Sequence, residues 1–208
     1  MKNLLKTLAT SAMTAIVLSA TVFSSIAAEK VVPIEKVSTK MDIKRVIVQG
    51  NTKVRLVQSK SEWVSVEESE MDKISVKQTG NTLTINSSEK TPVMVTVYVK
   101  DIYRICALNN AEVSTSGTFN LPYLQVILRD NAVANIKANT ESMYTDMNGV
   151  GSLDLAGSTE SHTIRNSGLG SLKMDKLAAL KTENLSAESS LAMNVVNGKV
   201  KKETVMKK

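Results

Sequence analysis

The chain carries one histidine, His162, and one cysteine, Cys106. A protein nucleophile needs a base within hydrogen-bond reach, and these two residues are the obvious pair to test. His162 lies in Ser161-His162-Thr163-Ile164, an alternating stretch that reads as a strand with the ring at its surface or edge. Cys106 lies in the apolar run Ile102-Tyr103-Arg104-Ile105-Cys106-Ala107-Leu108 and reads as a buried, inert thiol. A single cysteine excludes an internal disulfide and a cysteine-rich metal centre. Asp130, Asp146, Asp154 and Asp175 fall at different offsets in the second half of the chain. They therefore offer neither the converging oxygens that calcium needs nor a regular carboxylate pair for cleaving a polysaccharide. Glu67-Glu68-Ser69-Glu70, beside Asp72, reads as a solvated hairpin tip. The pairs Gly149/Gly151 and Gly168/Gly170 have no helix after them, so the anion site of a helix terminus is not expected. We expect no catalytic residue, no metal and no cofactor. What remains is a polar stripe, Asn135, Ser152, Ser171 and Ser190, which forms a candidate binding face if it points outward. It reads equally well as an internal ladder or a plain solvated face.

The elements that would carry this stripe are strands. From Met41 onward the apolar period is two: Ile43, Val46, Val48, then Val54 and Leu56, Val64 and Val66, Ile74 and Val76, Leu83 and Ile85, and Val93 to Val99. Alternating β-branched residues broken by turns such as Gly50-Asn51 and Gly80-Asn81 mark half-buried strands. These two turns leave antiparallel hairpins open for the front third. From Asp101 the chain repeats. Val113, Ile136, Leu153, Leu172 and Leu191 align as one inward column, with separations of 23, 17, 19 and 19. Asn131, Asn148, Ser167 and Ser186 stand five positions before the last four, and small residues flank every member. Gly149, Gly168, Asn131 and Asn148 are the natural left-handed corners. A period near 20 without helices predicts an all-β, single-domain parallel β-helix, or β-solenoid, with rungs of about 17–23 residues.

The Gly-rich stretches Asn148-Gly149-Val150-Gly151-Ser152-Leu153-Asp154-Leu155 and Ser167-Gly168-Leu169-Gly170-Ser171-Leu172-Lys173-Met174 carry a resemblance. The chain resembles the family of exported proteins, common in Bacteroidetes, described as putative auto-transporter adhesin, head GIN domain. The resemblance spans about residues 41–195. Asn110-Ala111-Glu112, Asn131-Ala132-Val133-Ala134 and Ser186-Ala187-Glu188-Ser189-Ser190 depart from it by lacking the glycines. The resemblance implies a right-handed parallel β-helix-like fold and a surface or adhesion role. It carries over no catalytic residue.

Residues 1–27 read as a signal peptide: Lys2 and Lys6, an uncharged apolar stretch, then Ser25-Ile26-Ala27. Residues 28–40 read as a linker or N-terminal cap, 41–198 as the GIN-like β-solenoid, and 199–208 as a basic flexible tail. No integral membrane span is expected after signal cleavage, so the destination is the periplasm, the cell surface or the medium. The net charge is +6, and removing Lys2 and Lys6 leaves +4, much of it in the tail. The body shows no basic face, which argues against nucleic acid. The function expected is an exported, non-catalytic interaction module, adhesin-like, contacting a protein or glycan through an extended β face. The alternatives are a carbohydrate-binding or carbohydrate-cleaving β-helix protein and a periplasmic structural or stress factor. Aromatic content of 3% counts against an aromatic sugar platform.

Overall fold

The computed structural model describes residues 42–185, and the backbone of 31–33. Residues 1–27, most of 28–40, the repeat positions Ser186, Ala187, Ser189, Ser190, Leu191 and Met193, and the tail 199–208 lie outside the described residues. The strands are β1 (Val31–Pro33), β2 (Arg45–Gly50), β3 (Thr52–Gln58), β4 (Trp63–Glu67), β5 (Ser75–Thr79), β6 (Thr82–Ser87) and β7 (Val93–Val99). They continue with β8 (Arg104–Ala107), β9 (Glu112–Ser116), β10 (Phe119–Asp130), β11 (Val133–Gly149), β12 (Ser152–Asn166) and β13 (Ser171–Asn184). All thirteen join in one hydrogen-bonded sheet that curls around an apolar core. Glu68–Lys73 forms a 3-10 helix where the sequence suggested a hairpin tip. Glu70 accepts a hydrogen bond there from the Met94 amide at 3.1 Å.

In the second half, every long strand runs parallel to the next. Phe119 of β10 lies opposite Ala138 of β11, and Val133 of β11 lies opposite Ser152 of β12, the same offset in both layers. β12 and β13 start at that offset too, Ser152 to Ser171, then slip by one position at a bulge near Asp154–Ala156. Alternation sets which side chains enter the core. Along β11, Ala134, Ile136 and Ala138 are buried while Asn135, Lys137 and Asn139 are exposed. Burying a side chain such as Leu153 or Ile136 stabilises the fold by about 1.5–3 kcal/mol.

The inward column differs from the one expected. Ala134 pairs with Val113 and with Leu153, and Leu153 pairs with Leu172. Ile136 stands two positions further on, opposite Leu155. The layer from Val113 to Ala134 is therefore only slightly longer than the next, from Ala134 to Leu153, and the uneven separations on either side of Ile136 disappear. A small alanine read as a corner residue, although Ala134 is buried at this inward position. The corners also shift. Of the four expected corners Gly149 has positive φ (151°), whereas Gly168, Asn131 and Asn148 do not; the non-glycine left-handed residues are instead Asn109 (φ 60°) and Asp130 (φ 59°). Gly157 has φ +108°, and a Cβ there would strike the carbonyl of Ala138 in the layer below. Gly151 meets the carbonyl of Ala132 in the same way.

The front third mixes both arrangements. β2 and β3 lie parallel to β6 and β7 on one side and to β8 and β9 on the other. β5 closes against β6, and β4 against β7, both antiparallel. β1 adds to β4. The edge at this end is thus covered by antiparallel strands, while β13 is the last described strand at the other.

Candidate functional site

Strands β10 to β13 each cross the same bend once, and the register, one position longer into β13, places equivalent residues in line. Asn120, Asn139, Ser158 and Ala178 form one column, and Leu121, Thr140, Thr159 and Ala179 the next. Pro122, Glu141, Glu160 and Leu180 follow. Together they line a shallow groove of about 700 Å3 running across the four strands. The outer columns project from the sheet and the buried middle column lies between them.

The first wall is a hydrogen-bonded ladder. Asn139 Nδ2 donates to Asn120 Oδ1 at 3.1 Å, and Ser158 Oγ donates to Asn139 Oδ1 at 3.0 Å. Beneath it, Thr140 Oγ1 donates to Thr159 Oγ1 at 2.9 Å, and Thr159 Oγ1 in turn to the Ser161 carbonyl at 3.1 Å. The other wall carries Glu141 and Glu160 on neighbouring strands, so their backbones are about 4.8 Å apart. Both are exposed and lack an ion-pair partner among the described residues. Gln58 closes the lower end. Its Oε1 accepts from the Asn120 amide at 2.9 Å and its Nε2 donates to the Asn120 carbonyl at 3.1 Å. One side-chain amide thus replaces the strand that β10 lacks at that edge.

The stripe read from the sequence lies on another part of the sheet. Ser152 and Ser171 are direct partners, both aligned with Val133, but Asn135 pairs with Asp154 and belongs to the adjacent column. The four-membered column is therefore corrected for Asn135, because the two-position error at Ile136 carried it along. Asn135 and Ser171 are exposed and Ser152 is half-buried; Ser190 lies outside the described residues.

A third region gathers charge. Arg45, Arg104, Arg129 and Arg165 lie on the outer side of β2, β8 and the later halves of β10 and β12. Asp146 joins two of them, accepting from Arg165 at 2.7 Å and Arg129 at 2.8 Å through the same oxygen. Burial pushes its carboxyl up, but the hydrogen bonds and charges of Arg165 and Arg129 together hold it below the ordinary value. Asp146 is consequently committed to structure. Cys106 sits half-buried between Ile47 and Ile127, and burial raises its thiol pKa against the opposing pull of Arg104, Arg129 and Arg45. His162 is not at the surface: it is 1% exposed, inside the core, 3.1 Å from Thr145 Oγ1. Among the described residues, no cluster of three or more His, Cys, Asp or Glu could hold a metal ion, and no helix is long and apolar enough to cross a membrane.

The family model described as putative auto-transporter adhesin, head GIN domain, matches residues 42–205. The chain belongs to this family. Two crystal structures share the GIN-domain chain's fold at low sequence identity. A putative adhesin from Parabacteroides distasonis superposes with a TM-score of 0.53 at 16% identity, covering 69% of this chain and 73% of that one. A putative adhesin from Parabacteroides merdae gives 0.50 at 16% identity, covering 74% and 75%. No curated protein matches in sequence. The groove had a signal in the sequence: Asn120, Asn139 and Ser158 are evenly spaced, as are Pro122, Glu141 and Glu160. A search anchored on the glycine-flanked leucines passes over it.

Proposed function

We propose that this GIN-domain chain is an exported, non-catalytic, adhesin-like interaction module. In this reading the curled sheet is a parallel β-helix, and the partner lies along its groove. The observation that carries the proposal is the groove itself: one channel across four stacked strands, with a preformed polar ladder on one wall from β10 to β12 and an apolar end at Ala178, Ala179 and Leu180. A rigid site of this kind binds without reorganising, which lowers the entropic cost of association. Family membership supports adhesion as the purpose.

The test is protease accessibility of tagged protein on intact cells, compared with cells whose outer membrane has been opened. Cleavage on intact cells is expected. Protection until the membrane is opened would overturn the surface role and favour a periplasmic factor.

A second reading, glycan cleavage, is favoured by Glu141 and Glu160 standing on adjacent strands in the groove. They occupy the same wall, however, and do not face each other across the channel. Release of new reducing ends from a polysaccharide, abolished by Glu141→Gln, would establish that reading over the non-catalytic one.

A further inference from the structure

We infer that the groove takes an uncharged, hydroxyl-rich extended chain, a neutral glycan, lying along the stacking axis. The inference rests on the interaction-module reading and adds the chemistry of the ligand.

Three observations lead there. The first is direction. The groove runs across the strands, meeting β10, β11, β12 and β13 in turn. A peptide laid in it would cross the strands and could not pair its backbone with theirs, so the usual gain from adding a strand to a sheet is lost. A sugar chain has no such backbone to satisfy.

The second is hydrogen-bonding capacity. Asn120 uses its side-chain oxygen in the ladder and keeps both amide N–H groups free; Asn139 uses one N–H and keeps the other. An asparagine side chain offers two donors and an acceptor with two lone pairs. Asn120 and Asn139 therefore present unused donors, Ser158 has spent its one O–H on Asn139 and keeps only accepting capacity, and Ala178 adds a small apolar step. A hydroxyl both donates and accepts, so it matches the wall where β10, β11 and β12 supply Asn120, Asn139 and Ser158. The steps recur at the strand spacing of about 4.8 Å, and a linear chain of sugars repeats its hydroxyls on a similar scale.

The third is charge. Glu141 and Glu160 on the facing wall are acceptors only, and no lysine or arginine lines the groove. They favour ligand donors and repel carboxylate or sulfate. Arg129 and Arg165 lie on a different part of the sheet, both paired with Asp146. Anionic polymers would therefore be drawn away from the groove.

The experiment is binding of the full chain to an array of immobilised glycans, part of them neutral and part bearing uronic acid or sulfate. Positives are then measured in solution as oligosaccharides of increasing length. Neutral glycans are expected to bind, with affinity rising to about three sugars and then levelling, as the ladder of β10, β11 and β12 is spanned. Asn139→Leu should weaken binding tenfold or more, while Asn135→Leu, on the other outward column, should not. Glu160→Ala is the second groove variant, at an exposed side chain where loss of folding is not a concern, and should also weaken it. Binding confined to anionic glycans and lost on Arg104→Ser would overturn the inference. So would neutral binding unaffected by Asn139→Leu and Glu160→Ala, or an array with no neutral positives. Protease cleavage on intact cells alongside any of these results would leave the interaction-module reading standing, so the two failures are distinguishable.

Discussion

Gly157 lets the close approach of two layers be tested with a single methyl group. Its φ of +108° is a conformation that L-residues rarely adopt, and a Cβ there would run into the Ala138 carbonyl below. Two other glycines separate these effects. Gly117 has φ +81° with nothing within 4 Å of an added Cβ, so it isolates the backbone cost. Gly151 has no positive φ, but its Cβ would meet the Ala132 carbonyl, so it isolates the steric cost. The backbone cost is about 1–2 kcal/mol. Forcing a methyl group against backbone that cannot swing away costs about 1–3 kcal/mol. Removing a glycine from the unfolded chain returns about 0.4–1 kcal/mol. Gly157→Ala should therefore lose about 1–5 kcal/mol, more than either Gly117→Ala or Gly151→Ala. Urea unfolding followed by circular dichroism measures all three against the parent. If Gly157→Ala lost no more than Gly117→Ala, the layers would not be in contact at this bend, and the groove beside it would be mis-shaped.

Two further predictions concern protons. Burial lowers the pKa of His162 below its ordinary 6.5, so the unfolded chain binds a proton more readily than the folded one. Stability should be full above about pH 6.5 and fall as the pH drops toward the lower folded value, and His162→Gln should flatten the urea midpoint over that range. An equally pH-dependent midpoint in the variant would refute the assignment. Asp146→Asn leaves Arg129 and Arg165 facing each other over a neutral group and should cost about 1–3 kcal/mol, discounted because both arginines reach solvent. The stability that Asp146 contributes should be present above its ordinary pKa of 3.8 and be lost as the pH falls through its lower folded value. An Asp146→Asn protein as stable as the parent at neutral pH would refute its structural role.

The all-β character was legible because alternation is local: Val93, Val95, Val97 and Val99 declare a strand without reference to anything distant. The Leu153–Leu172 alignment was legible for a related reason, since a steady spacing and flanking Gly and Ser preserve it. Ile136 misled because large residues attract an alignment, whereas the position that pairs with Val113 holds Ala134. His162 misled because a polar ring suggests a surface, yet its neighbour Thr145 supplies a partner inside the core. The placement of β2 and β3 between strands that come later in the chain was not legible at all. Nothing local to Arg45–Gln58 specifies what lies on either side of it.

That placement also sets an order of events. Pairing β10 with β11, and β11 with β12, closes a loop of a single layer each time, as from Phe119 to Ala138 or from Val133 to Ser152. Pairing β2 with β8, or β3 with β9, must close the span from Arg45 to Arg104 or from Lys53 to Glu112. Those closures are about three times as long, and by chain statistics each costs about 1 kcal/mol more. The later layers can therefore zip one onto the next as a local process, while Arg45–Gln58, ahead of them as the chain emerges, can pair with β6 and β7 first but waits for its second neighbours until residues up to Ser116 have followed it. A chain threaded from its N-terminus can cover one edge of this apolar segment with β6 and β7 but must leave the other edge open throughout that interval, which makes that edge a place for a chaperone's protection.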